Sequence, residues 1–106
     1  MPLVDLGELK VVERLPGWRG RFFHSAHMTF AHYDFDAGAS IHEHHHGEEE
    51  VYQVLEGQVE VTLGGHTYLA KPGLAVIVPA DVPHSLRALT NGRLLIVDYP
   101  AIPSLG

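Results

Sequence analysis

The sequence predicts an all-β chain folded as one small antiparallel barrel or sandwich. Three observations carry this expectation. No long stretch shows a 3.6-residue apolar period. Short segments rich in Val, Ile, Leu, Thr, Phe and Tyr recur along the chain instead. Gly and Pro punctuate these segments at short intervals. Short strands joined by tight turns are the pattern of barrels and sandwiches, and closure hides the sheet edges.

Taken in order, residues 21–35, with their Phe, His, Thr and Tyr, form one or two strands, and 36–39 form a turn around Gly38. Residues 40–46 place His42, His44 and His46 on one face by simple alternation. Residues 50–55 make the next strand, ended by Glu56-Gly57. Val59, Val61 and Leu63 alternate with Gln58, Glu60 and Thr62, and Gly64-Gly65 is a hairpin signal that returns the chain along 66–70. After the turn at 71–73, the apolar run 74–78 has the length of a strand buried on both faces. A loop over 79–83 leads to a strand over 84–89. Asn91-Gly92 reads as a second hairpin, with its return over 93–99 and an extended tail over 100–106.

Length and charge bound the function. A chain of 106 residues is one domain, 1–106, with its barrel core over about 30–100. Such a chain buries about two-thirds of its unfolded surface, enough for one core. A net charge of −6 argues against nucleic acid as a partner. The first residues lack a basic segment followed by an apolar one, and the longest apolar run is too short to span a bilayer. The expectation is a cytoplasmic protein with no membrane partner. There is no Cys, so thiolate chemistry is absent. The anomaly is nine His, four of them between 42 and 46, internal to the chain and interrupted by Glu43.

His44 and His46 form His-x-His on a strand, so both imidazoles can reach one ion. Glu50, after a short polar turn, can bring a carboxylate to it. His84, opening a strand after a Pro-bounded loop, is the candidate fourth ligand. Three imidazoles and a carboxylate suit one divalent transition metal, whether Fe, Mn, Ni, Co, Cu or Zn. His42 shares the parity of His44 and His46 and is a candidate base, or else a strand His near the barrel mouth. Tyr52 has the parity of Glu50, as a core ring or as a hydroxyl that meets substrate. Asp98 sits on an otherwise apolar strand. An acid there needs a partner or water, which a cavity wall supplies and a solvent-facing strand end would too. His27 and His32 have opposite parity, and Arg87 is expected to face outward.

These residues resemble the cupin superfamily. Its first motif is G-x5-H-x-H-x3,4-E-x6-G, and this chain has Gly38, His44, His46, Glu50 and Gly57 at that spacing. Its second is G-x5-P-x-G-x2-H-x3-N, matched by Gly73, Pro79 and His84, with Asp81 for the second Gly and Ala88 for the Asn. Asp tolerates turn conformations, and neither substituted position is a ligand. The resemblance implies a jelly-roll barrel and makes His44, His46, Glu50 and His84 the metal ligands. His42 or Glu49 in the ligand set would break the family spacing.

The cupin fold hosts many activities. The segments 52–57 and 94–100 resemble small bacterial cupins, among them pectin-degradation proteins that act on unsaturated uronate sugars. The resemblance implies an enzyme acting on a small oxygenated or acidic substrate by metal Lewis-acid catalysis, with His42 or Asp98 moving the proton. The sugar-processing members carry an acid at what aligns with Ile96 and a base near Ile102, and this chain has neither there. Two alternatives stand beside this reading: a non-catalytic metal-dependent binding module, and an Fe(II) dioxygenase. Single-domain cupins are similar in pairing through N-terminal strands, so a homodimer is expected, with Trp18, Phe22 and Phe23 supplying the apolar area.

Overall fold

A computed structural model describes residues 2–105. Its strands are β1 (Val12–Leu15), β2 (Trp18–His24), β3 (Thr29–Phe35), β4 (Ser40–His44), β5 (Glu49–Glu56), β6 (Val59–Leu63), β7 (His66–Ala70), β8 (Ala75–Val78), β9 (His84–Ala88) and β10 (Gly92–Tyr99). One turn of 3-10 helix, Leu6–Glu8, precedes them, started by the Asp5 carboxylate accepting from the Gly7 N–H.

The strands form two antiparallel sheets, ordered β1-β2-β3-β10-β5-β8 and β4-β9-β6-β7. Only β1–β2, β2–β3 and β6–β7 are hairpins between sequence neighbours. From β3 onward the chain otherwise changes sheet at each turn, which is the winding of a jelly roll. The expected Asn91-Gly92 hairpin is therefore a crossover: β9 pairs with β4 and β6, and β10 with β3 and β5. Here Asn91 holds a different contact, its side-chain oxygen accepting from the Ala37 N–H at 2.8 Å.

Between the sheets lie Trp18, Phe22, Phe35, Tyr52, Val54, Val59, Val61, Leu86, Leu94 and Ile96, all buried. Alternation puts them there: Leu94, Ile96 and Asp98 point inward from β10, and Leu95 and Val97 outward. Two expectations fail on this packing. Trp18 and Phe22 belong to the protein's own core, so they offer no area to a partner. The apolar run 74–78 is not buried on both faces, because β8 is an edge strand, with Leu74 48% and Ile77 61% exposed.

The tail over 100–105 folds back as well, rather than extending away. The Ile102 N–H donates to Thr29 Oγ1 at 2.7 Å, a ring nitrogen of His24 meets the Leu105 carbonyl at 3.1 Å, and Leu105 packs on the core. The segment before residue 18 also contributes a strand that the sequence reading omitted; Pro16-Gly17 was its turn signal.

Gly57 shows why the first motif ends in glycine. Its φ is +86°, and a Cβ there would lie 2.5 Å from both the Asn91 carbonyl and Thr90 Oγ1, where the two crossovers touch. Gly57→Ala is expected to cost at least the ~1–3 kcal/mol of a side chain in the left-handed region, plus the clash. Gly65→Ala, at φ +87° in open space, should cost about 1 kcal/mol. Denaturant midpoints of the two variants check this; equal losses would show that the crossover contact contributes nothing.

Candidate metal centre

The two sheets diverge at one end, and the motif residues meet there. His44 on β4 and His84 on β9 are direct register partners in the four-stranded sheet. Glu50 opens β5 in the opposite sheet, and His46 lies in the connection between β4 and β5. One ligand atom from each of these four residues lies within 4.8 Å of the others.

The approach of β4 is not the simple alternation expected. Ile41 pairs with Leu86 and His44 with His84, so three steps on β4 match two on β9. This bulge turns Ile41 and His44 toward the interior and leaves His42 exposed at the cavity rim. His42 thus lines the cavity mouth beside His44, its ring 6.0 Å away but exposed.

All three imidazoles are held in the same way. The Nδ1 of His44 meets the His42 carbonyl at 2.9 Å, that of His46 the Glu48 carbonyl at 3.0 Å, and that of His84 the Val82 carbonyl at 2.8 Å. A carbonyl only accepts, so each Nδ1 carries a proton, and in the neutral ring Nε2 is the atom that offers a lone pair to a metal. Such contacts orient metal-binding histidines. His84 Nε2 is buried and lies 3.1 Å from Glu50 Oε1, yet makes no aligned hydrogen bond. A buried lone pair left over in a cluster of three nitrogens and a carboxylate fits a metal ion.

Asp81, the substitute for the second motif's glycine, has φ +65°. Its N–H donates to the His46 carbonyl at 2.8 Å, tying the loop before His84 to the loop that carries His46. The departure from the motif keeps the backbone geometry that the glycine would give.

Glu50 is the buried hinge of the site. The Tyr52 hydroxyl donates to Glu50 Oε1 at 2.7 Å, and Asp98 is its register partner on β10. Burial alone would raise Glu50, but the neighbouring His84 and Asp98 and the hydrogen bond from Tyr52 outweigh it and bring the carboxyl down to about 2. Burial, then the bond to Glu50 and its charge, push Asp98 up to about 9. Asp98 is 2% exposed and its Oδ1 has no partner. Of its two readings, the strand-end acid facing solvent is thus excluded, and Asp98 is a neutral acid beside an ionised one. Burial lowers His44, whereas contact with Glu50 and the Val82 carbonyl raises His84 despite burial. Tyr52 lines the cavity with its hydroxyl committed to Glu50. His27 and His32 both stay out of the interior: His27 lies exposed in the β2–β3 turn, and His32 points outward beside Phe23. Arg87 is exposed, as expected.

The cluster opens into a cavity of about 380 Å³ between the sheets. Its walls include Phe22, Tyr33, Ile41, Leu86, Ile96 and Leu105. The contributions of β1, of Tyr33 and of the tail were missed by sequence reasoning. The Pro16-Gly17 turn was the available signal for β1; nothing local marks the tail.

A jelly roll with three oriented imidazoles and a carboxylate at its open end defines a class of small β-barrel with a potential metal site. The chain belongs to the cupin family, whose domain profile matches residues 31–99. An uncharacterised protein of Streptomyces coelicolor is 32% identical over 81 residues, covering 76% of this chain and 77% of that one. Among solved structures, TT1209 of Thermus thermophilus is 32% identical over 96% of this chain and 100% of its own, with TM-score 0.77. KdgF from Halomonas is 25% identical over 94% of each chain, with TM-score 0.86. Among the described residues, no helix is long and apolar enough to cross a membrane.

The two carboxyl shifts have opposite signs in the metal-free protein. Asp98 binds its proton more tightly folded than unfolded, so its contribution is complete below about pH 4 and is lost as pH rises toward about 9. Glu50 contributes above its unfolded value and loses that contribution as pH falls toward about 2. Asp98→Asn, which keeps a neutral donor beside Glu50, should flatten the decline in stability between about pH 4 and 9. Urea midpoints of both metal-free proteins across that range test it; parallel curves would show that Asp98 ionises normally.

Proposed function

We propose that this cupin binds one divalent transition metal per chain on His44, His46, Glu50 and His84 and acts as an enzyme on a small oxygenated or acidic, sugar-like substrate. The observation that carries the metal reading is the shared orientation of the three imidazoles. A divalent metal there supplies Lewis-acid polarisation of a substrate oxygen. Tyr52 holds Glu50 in place. The catalytic reading rests on Asp98, a buried acid in the cavity wall that is not needed as a ligand. Buried in the cavity wall next to the cluster, it can exchange a proton with a bound substrate. His42, exposed at the rim, can pass protons between solvent and the cavity.

The substrate class is supported by the resemblance of segments 52–57 and 94–100 to small pectin-degradation cupins, and KdgF is among the similar structures. The cavity size is near the lower end of the range for small-molecule sites. A metal-dependent binding module keeps the same ligands but has no use for a neutral buried acid.

Glu50→Ala is expected to weaken zinc binding by more than about 100-fold, beyond what loss of an outer partner costs, and to abolish turnover with it. Asp98→Asn should keep the metal and lose about 10²–10⁴-fold in turnover on a panel of unsaturated uronates and other sugar acids. Metal content and rates measured in parallel decide between the readings. If metal-loaded wild type turns over nothing on the panel, the binding module replaces the enzyme.

A homodimer is also proposed, on a surface that keeps Phe23 of the expected N-terminal segment but not Trp18 or Phe22, which are buried in the core. Register places Phe23, Phe30, Val97, Val51 and Ile77 in one row across the outer face of the six-stranded sheet. Phe23 and Phe30 stack at 4.7 Å, and Ile77 is 61% exposed. Such a row favours burial against a partner. Ile77→Glu should convert a dimer to a monomer at micromolar concentration in analytical ultracentrifugation. A monomeric wild type at that concentration would refute the dimer.

A further inference from the structure

The cavity wall carries polar groups that the metal cluster does not use. Arg14, on β1, is the only Lys or Arg among the described residues that line it. Its guanidinium lies 5.9 Å from the centroid of the Phe22 ring, itself a wall residue, and NH2 donates to the Ser104 carbonyl at 3.3 Å. Among the described residues no carboxylate pairs with it. Two other wall residues carry donors without acceptors. Trp18 is 1% exposed and its Nε1–H is buried with no partner. Tyr33, packed edge-on to Trp18 at 6.0 Å, has no hydrogen bond from its hydroxyl among the described residues. A buried unpaired indole N–H is costly unless something accepts from it.

We propose that Arg14, which shares the cavity wall with Tyr33 and Trp18, is a carboxylate-binding subsite, and that the ligand is a small hydroxylated carboxylic acid reaching from it toward the His44, His46, Glu50 and His84 cluster. This deepens the proposed function and rests on its reading of the cavity as the ligand site. The chemistry follows from the donor set. A guanidinium fork matches a carboxylate, and an indole N–H and a phenol supply further donors to oxygen. Arg14 gives up only one long, exposed bond to a backbone carbonyl when it engages the ligand. The chain carries −6 overall, so a local cation is what makes this cavity hospitable to an anion. Tyr33 senses both the cluster and Arg14: burial, then the charges of Glu50 and Asp98, push its hydroxyl up to about 12, while Arg14 acts the other way.

The test is calorimetric titration of zinc-loaded and metal-free protein with D-galacturonate and with D-galactose, which differ at the carboxylate. Zinc-loaded wild type is expected to prefer galacturonate by about 10-fold or more. Arg14→Gln should weaken galacturonate by about 10–100-fold, the worth of a charge-assisted hydrogen bond, and leave galactose and zinc binding as they were. Arg14→Lys should recover part of the loss. The fluorescence of Trp18, the only tryptophan, should change with galacturonate in wild type. Equal affinity of wild type and Arg14→Gln for galacturonate would overturn the proposal, as would equal affinity of wild type for the two sugars or no binding of either. Zinc is titrated separately, so a failed metal site is recognised independently, and the metal-free titrations still read the effect of Arg14.

Discussion

A carboxylate placed between two β-sheets must be neutralised or solvated, and Glu50 is where this protein meets that constraint. Four side chains answer it: His84 from the four-stranded sheet, Asp98 and Tyr52 from the six-stranded sheet, and His46 from the loop between them. The polar cluster therefore bridges the sandwich at its open end, while Trp18, Phe35, Val59 and Leu94 hold the sheets together by burial. Loss of Glu50 would leave the histidines facing one another without the carboxylate they surround and Asp98 without its register partner.

The jelly-roll winding is what makes the bridge feasible. His44 and His84 are adjacent because β4 and β9 pair across a long stretch of sequence. Asp98 faces Glu50 because β10 lies between β3 and β5. The crossover at Gly57 and Gly92 is tight enough that a Cβ on either would strike backbone. The chain spends its conformational freedom at the closed end and at the turns, and keeps the open end for polar side chains and a cavity.

One cavity wall carries the cluster of nitrogens and carboxyls together with Arg14, Tyr33 and Trp18, set among apolar side chains. Residues 102–105 are tied to Thr29, His24 and Arg14, so the tail forms part of the same enclosure.

The motif spacing, through its resemblance to the cupin family, pointed to the fold and to the four residues that converge, although His46 lies in the connection after β4 rather than on the strand. Alternation likewise set Val59, Val61 and Leu63 on one face, and Val59 and Val61 are buried. Tertiary structure alone decided the rest. The bulge that leaves His42 exposed at the rim while His44 is half-buried exists only because β9 is one residue shorter between the paired positions. The apolar run 74–78 lies at an edge because no strand pairs beyond β8. Asp98 could be read as solvent-facing until Glu50 was seen opposite it, and Arg14 carries no motif. Each of these depends on which distant segment is the neighbour, and periodicity within one strand holds no information about the strand beside it.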